Sequence, residues 1–409
     1  MRVLQINASI NSGSTGRIAE DIGNVLLSKS HESYIAGARG IKISTSNLIT
    51  IGGRIDLYYH GFISLFFDRH GFGSKRATRK LLKEIERIKP DVLVLHNIHG
   101  YYLNIELLFN YIAANNIPAL WTLHDCWSFT GHCTFFDSVN CEKWKTQCNN
   151  CPKTRMYPKS LFLDNSFSNF NNKKRIFGQA ENIQIVTPSI WLKKLVELSF
   201  LNQTVRCIHN GIDLNKFSPS KNNTQLKIKL GLTTEKVVLG VASIWDKRKG
   251  LEDFLELASL LTEEYKIVLV GLNKNQIKNL PPKVIAINRT ESVTELASYY
   301  SLASVFVNPT YQDNFPTTNI EALACGTPVI TYNTGGSPEA VDEETGVVVS
   351  KGNVIELKKA IIQFASYNNE MLSIKCRERA EKHFDKENRF LDYLTVFEEL
   401  IQNNKCETN

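Results

Sequence analysis

The chain has 409 residues, 43% hydrophobic and 22% charged, too long for one typical core and balanced like a soluble globular protein of two or more domains. No apolar run reaches the roughly 20 residues that span a bilayer, and Met1–Ser9 enters a strand-like run with no leader pattern, so a cytoplasmic protein is expected. The net charge of +7 is uneven: residues 1–205 hold 24 Lys and Arg against 15 Asp and Glu, the remainder 24 against 26.

In chain order, Arg2–Asn7 predicts a first strand, followed by the glycine- and serine-rich turn Ser9–Arg17 and a helix over Ile18–Leu27. Gly13, Ser14, Thr15, Gly16 and Arg17 make a loop where backbone can approach a phosphate or acceptor closely. This loop matches neither GxGxxG nor GxxxxGK[ST], which argues against hydride transfer and ATP hydrolysis. His31–Gly37 reads as a second strand. Across Asp56–Arg87 an aromatic and aliphatic cluster (Leu57 to Phe67) precedes the basic run Arg69, Lys75, Arg76, Arg79, Lys80, Lys83. Contact with an anionic membrane or lipid phosphate fits this composition. A core helix followed by a solvated basic helix fits it too.

Strand Val92–Leu95, helix Leu103–Ala114 and strand Ala119–Leu123 follow, the last ending in His124-Asp125 at the strand edge where open α/β sheets bind ligands. A satisfied structural histidine is the alternative reading of His124. Ile183–Val186 with a helix to Leu198, then Val205–Ile208, close a first Rossmann-like domain, expected over residues 1–208. After the polar linker Ser218–Gln225 the alternation restarts. Strands are expected at Val237–Val241, Lys266–Val270, Val284–Ile287, Ser304–Val307, Val329–Tyr332 and Gly346–Val349. Helices are expected over Leu251–Leu261, Val293–Leu302, Ser337–Val341, Val354–Ala365, Met371–His383 and Arg389–Gln402. This alternation predicts an α/β protein with two parallel-sheet domains, the second over 209–384, and a C-terminal helical segment 385–409.

Five of nine cysteines lie between Cys126 and Cys151. Cys148-x2-Cys151 has the spacing of half a structural zinc site, and Cys133 and Cys141 could complete it, with His132 as substitute. A metal-stapled insertion and a set of free thiols both fit.

The stretch Pro309–Ile330 reads strand, Phe315-Pro316 break, then a helix opened by Thr317-Thr318-Asn319 and stopped by Gly326. A helix N-terminus of this kind suits a phosphate. Trp245–Gly250, with Lys247, Arg248 and Lys249, occupies the same edge of the same domain.

Asp313, Phe315-Pro316 and Glu321, followed by Ala322-Leu323-Ala324-Cys325-Gly326-Thr327-Pro328, resemble the two-acid motif of family 4 retaining glycosyltransferases. Asn210-Gly211-Ile212-Asp213, Lys249-Gly250 and the Gly13–Gly16 loop are similar to other landmarks of that family, and the likeness covers almost the whole chain. Within it, Gly-Ser-Thr-Gly-Arg, His-Asp-Cys-Trp and Asp-Asn-Phe-Pro look most like enzymes of colanic-acid and capsular polysaccharide assembly. The chain departs from the pattern twice. Asp313 stands where Glu is usual, and Ile244 stands where an arginine is usual, with Arg248 as a nearby substitute.

The resemblance implies the GT-B architecture, two Rossmann-like domains facing across a cleft, with 385–409 packing back on the first domain. It implies a UDP- or GDP-sugar donor and a saccharide or lipid-diphosphate acceptor, with no metal required for catalysis. Thr317, Thr318, Lys249 and Arg248 would hold the diphosphate and Glu321 the ribose. Asp313, Phe315 and His124 would face the sugar. A nucleotide-sugar epimerase or hydrolase on the same fold is the competing reading. Peripheral contact with the inner face of a membrane is the expected use of the basic half. Nucleic acid is not an expected partner, since no recognition motif is present.

Overall fold

The computed structural model describes residues 1–220, 223–278, 280–366 and 369–408. Residues 221 and 222 of the expected linker, and 409 of the expected C-terminal segment, lie outside these. The chain divides into two compact units: residues 1–209 with 390–409, and residues 210–389.

The first unit runs β1 Arg2–Ile6, α1 Gly13–Ser28, β2 Glu32–Gly37, β3 Asn47–Thr50, α2 Arg54–Phe67, α3 Lys75–Ile88, β4 Val92–Leu95, α4 Ile105–Ala114, β5 Ala119–Thr122, α5 Ser166–Gly178, β6 Ile183–Thr187, α6 Ile190–Glu197 and β7 Val205–Cys207. Its seven strands are parallel in the order β3-β2-β1-β4-β5-β6-β7. Every residue of β4 and β5 is buried, as a sheet covered by helices on both faces requires.

The second unit runs α7 Thr224–Lys229, β8 Lys236–Val241, α8 Leu251–Leu260, β9 Tyr265–Val270, α9 Lys274–Ile277, β10 Val284–Ile287, α10 Val293–Leu302, β11 Val305–Asn308, α11 Thr317–Ala324, β12 Val329–Tyr332, β13 Gly346–Val349, α12 Val354–Phe364 and α13 Asn369–Phe384. Its parallel order is β10-β9-β8-β11-β12-β13. The last helix, α14 Lys386–Thr408, leaves this unit at Arg389. Beyond it, Phe390, Tyr393, Leu394 and Phe397 are buried in the first unit's core with Val3, Ile22 and Val92.

In each sheet the strand order reverses beside its first strand, between β1 and β4 and between β8 and β11. Such a switch point opens a crevice at the carboxyl ends of the strands, and ligands of doubly wound sheets bind there.

Several expectations change. Helix α1 starts at Gly13, so Gly13–Arg17 is the helix's first turn and not a separate loop. The strand β3 is an exposed edge without apolar alternation, which hid it from a periodicity reading. The core-helix reading of the aromatic cluster fails. Helix α2 buries His60 and Ser64 while Ile55, Tyr58, Tyr59, Phe62 and Phe67 are exposed. His60 is held inward because its Nε2 accepts from the Gly71 and Gly73 N–H groups at 3.1 and 3.3 Å. Helix α3 is conventional, burying Ala77, Leu81, Ile85 and Ile88 and turning its lysines and arginines out.

Candidate functional site

In the second unit, β8 ends at Val241 and leads into a 3₁₀ turn, Lys247–Lys249, capped by Asp246, whose Oδ1 accepts from the Lys249 N–H at 3.1 Å. Gly250 follows with φ +72°, and a Cβ there would sit 2.3 Å from the Pro309 carbonyl oxygen. Only glycine lets this turn lie against the loop that leaves β11. One backbone and one side-chain bond then lock the two loops: Tyr311 N–H donates to Arg248 O at 2.8 Å, and Arg248 Nη1 donates to Gln312 O at 3.1 Å.

The side chains that these loops carry meet. Lys249 Nζ lies 2.5 Å from Asp313 Oδ2, each side chain about 20% exposed. Ion pairs with this much access to water contribute about 0–1 kcal/mol to stability, so stability is a weak reason for a pair at the switch point. The other Asp313 oxygen, Oδ1, accepts from the Asn314 N–H at 3.0 Å, which fixes the carboxylate's orientation.

Helix α11 begins beside them at Thr317, with Pro316 as its cap residue and no side chain capping its first turn. The first N–H groups of a helix have no intrahelical acceptor and carry the positive end of its dipole. Thr317 and Thr318 are half-buried. The helix is held by Asn319, fully buried, which accepts from Asn308 Nδ2 at 2.8 Å and donates to Ser337 Oγ at 2.9 Å. One turn along, Glu321 Oε2 accepts from the buried Tyr300 hydroxyl at 2.8 Å, so its carboxylate is aimed by α10. Asp253 on α8 accepts from the hydroxyls of Tyr311 and Tyr332 at 3.1 and 2.9 Å and ties the loop after β11 to the end of β12. Phe315 differs from expectation: its ring is buried against Phe384, 5.8 Å between centroids, so its main chain lines the loop and its ring belongs to the core.

In the first unit, Asn7 at the end of β1 bridges the switch point. Its Nδ2 donates to Ser9 O at 2.8 Å and its Oδ1 accepts from the Asn97 N–H at 3.3 Å. Gly13, Ser14 and Arg17 are exposed, whereas Gly16 is buried and a Cβ there would meet Ser9 Oγ at 3.0 Å. His124 follows β5. Its Nε2 is 3.3 Å from His96 Nδ1, and His96 Nε2 is 3.0 Å from Gln5 Oε1. Gln5 Nε2 donates to Ala19 O, so Oε1 is the acceptor. The protons are thereby assigned: His96 donates from Nε2, accepts at Nδ1, and His124 donates from Nε2. Neutral His124 keeps its lone pair on Nδ1.

Beside them His99 Nε2 lies 2.8 Å from Asp125 Oδ2, and His99 Nδ1 3.2 Å from the Tyr157 hydroxyl. Burial raises the pKa of the Asp125 carboxyl, but the His99 charge and hydrogen bond outweigh it and hold it below its usual value. The structure thus groups Lys249, Arg248, Asp313, Thr317, Thr318 and Glu321 in one unit, and sets His124 beside His96 in the other. Sequence reading missed Tyr300, Asp253, Gln5, His96, His99 and Tyr157. A glutamine inside an otherwise apolar strand, and two histidines just past β4, were the available signals.

Residues 222–383 match the family model described as glycosyl transferases group 1. The chain contains a glycosyl transferases group 1 domain over these residues. It is 27% identical, over 93% of its length and 96% of the relative's, to an Escherichia coli (strain K12) protein named as the colanic acid biosynthesis glycosyl transferase WcaC. Among solved structures, sucrose-phosphate synthase from Thermosynechococcus elongatus shares the fold with a TM-score of 0.72 at 18% identity, covering 98% of this chain and 99% of that one. Anabaena HepE, solved in complex with UDP and glucose, does so with 0.67 at 13% identity, covering 97% and 99%. The two parallel sheets are those of the GT-B architecture.

Burial lowers histidine pKa values in the first unit, most of all those of His60, to about 3, His124, to about 4, and His70 and His96, well below the ordinary value. These groups stay neutral when folded but bind protons near pH 6.5 when unfolded. Their contribution is therefore complete above pH 6.5 and is lost as pH falls towards 4. Each costs about 1.4 kcal/mol per pH unit in that window. Urea unfolding at pH 5 should show a first-unit stability at least about 2 kcal/mol lower than at pH 7.5. Equal stability at the two pH values would contradict the buried neutral assignment.

Proposed function

We propose that the glycosyltransferase moves a sugar, with retention at its anomeric carbon, from a nucleotide-diphosphate donor to a lipid-linked intermediate of a surface polysaccharide. The observation that carries this reading is the Lys249–Asp313 contact at the β8/β11 switch point, beside the uncapped first turn of α11. Breaking the bond between sugar and diphosphate leaves negative charge on phosphate oxygens, and preorganised cations and N–H groups stabilise that charge most where water is scarce. Lys249, Arg248 and the Thr317 and Thr318 N–H groups supply them. Glu321, aimed by Tyr300, accepts from the ribose hydroxyls. Asp313 contacts the transferred sugar, and His124 in the first unit is a neutral imidazole suited to a hydroxyl group. Asp313 is one methylene shorter than the family's usual glutamate and sets the reach towards that sugar. No protein nucleophile and no catalytic metal is required.

The relative named for colanic acid biosynthesis supports a polysaccharide product, and the HepE complex supports UDP as the donor base. Neither is named as an epimerase or hydrolase. The protein should be incubated with UDP- and GDP-sugars, with and without a lipid-diphosphate acceptor. Sugar appearing on the lipid, only when the acceptor is present, is the expected result. Acceptor-independent release or isomerisation of the sugar would overturn the reading in favour of an epimerase or hydrolase.

The lipid end of the acceptor is assigned to α2 and α3. The exposed Tyr58, Tyr59, Phe62 and Phe67 join Phe162, which stacks on Phe66 with centroids 5.4 Å apart. Beside them Lys75, Arg76, Arg79 and Lys80 are exposed. Apolar rings flanked by cations match the interface of an anionic bilayer. Among the described residues no helix is long and apolar enough to cross a membrane, so the contact is peripheral. Replacing Arg76, Arg79 and Lys80 with Ala should weaken binding to anionic vesicles about 100-fold at physiological salt, at about 1 kcal/mol per charge. Unchanged vesicle binding would reduce the patch to solvated surface.

A further inference from the structure

Residues 123–165, between β5 and α5, contain only three short 3₁₀ turns, Trp127–Phe129, Asp137–Val139 and Lys143–Lys145, among the described residues. A segment of this length without helices or strands is uncommon inside a compact unit and needs another source of order. Four cysteines spread through it converge. Cys133, Cys141, Cys148 and Cys151 line one cavity of ≈ 20 Å³, room for about one water-sized body. The Cys133 and Cys151 thiols hydrogen-bond each other, and no disulfide joins any of the four.

Two further side chains point to contents with charge. His132 lines the same cavity. Its Nδ1 is held 2.5 Å from Asp68 Oδ1, while its Nε2 is buried without a hydrogen-bond partner. An orphaned buried nitrogen calls for an explanation, and a thiolate in the cavity, accepting from an N–H at this atom, is one. Lys173 is fully buried, donates to the carbonyls of Trp127 and Thr130 at 2.7 and 3.0 Å, and interacts electrostatically with Cys148 and Cys133. A buried ammonium held only by two carbonyls and the Trp127 ring, 3.4 Å from its centroid, is costly, and thiolates beside it offset that cost.

We propose that this cavity is a structural zinc site with Cys133, Cys141, Cys148 and Cys151 as its four thiolate ligands. Thiolates in a closed tetrahedral set select zinc among redox-inert divalent ions. Cys148 and Cys151 supply the short-spaced half of the site, and Cys133 and Cys141 the widely spaced half. On binding, each thiol releases its proton to solvent. The resulting double negative charge of the ZnS₄ unit is partly balanced by Lys173. With Zn–S bonds of about 2.3 Å, neighbouring sulfurs stand about 3.8 Å apart. Among the described residues no three of these sulfurs lie within 4.8 Å of one another, so the ion draws the loop inward and tightens it.

The site is separate from the transfer chemistry, so its test does not depend on activity. Full-length protein purified in reducing buffer, without added metal or chelator, should contain near one zinc per chain by elemental analysis. Cobalt exchanged into it should show thiolate-to-cobalt charge-transfer absorption. The C148S and C151S variants should lose the metal, while C406S, at the exposed Cys406, should keep it. Should the ligand variants fail to fold, wild-type protein still decides the matter. Treatment with a thiol-blocking mercurial should release zinc in step with the thiols titrated. Metal-free protein whose four thiols are reduced and freely reactive, or an intact mass showing disulfides among them, would overturn the proposal.

Discussion

The close approach of two loops, after β8 and after β11, is the constraint from which the donor-side geometry follows. Gly250 makes it possible, since any side chain there would strike the Pro309 carbonyl. Once the loops touch, the Arg248 and Tyr311 main chains pair, and Lys249 reaches Asp313. The contact gathers an ammonium, a guanidinium and a helix N-terminus at one sheet edge. A pair of this exposure adds little to folding. Under the proposed function, its value lies in holding charge ready for a diphosphate, so that little reorganisation is needed during reaction.

The first unit solves a comparable problem with neutral groups. Gln5, inside a buried strand, fixes the tautomer of His96, and His96 fixes that of His124. Burial then keeps His124 uncharged down to about pH 4. A neutral imidazole with a defined lone pair suits a sugar hydroxyl, whereas an imidazolium would compete for phosphate. The second unit thus presents cations at its switch point, and the first an oriented neutral imidazole.

Much of this was legible in the sequence because parallel sheets bury both faces. Val92–Leu95, Val284–Ile287, Val329–Tyr332 and Gly346–Val349 read as apolar runs with the bounds that the structure gives. Where burial and apolarity part company, reading failed. The edge strand β3 is exposed, and α5 is an asparagine- and lysine-rich helix that buries Asn169 and Lys173. Helix α2 turns its aromatic side outward. In the site, Lys249, Asp313 and Glu321 carried local spacing that could be read. Tyr300 and Gln5 act through contacts 21 and 91 residues away in sequence, which no local pattern records.

The central claim is that Lys249 binds the donor diphosphate at the β8/β11 edge. Calorimetric titration of wild-type and K249A protein with UDP and GDP tests it most directly, with circular dichroism to show that the variant is folded. The account predicts that one of the two nucleotides binds the wild type and that the variant binds it about 10- to 100-fold more weakly, as expected for losing a charge-assisted hydrogen bond. An unchanged dissociation constant in a folded K249A variant, or no binding of either nucleotide to the wild type, would contradict it.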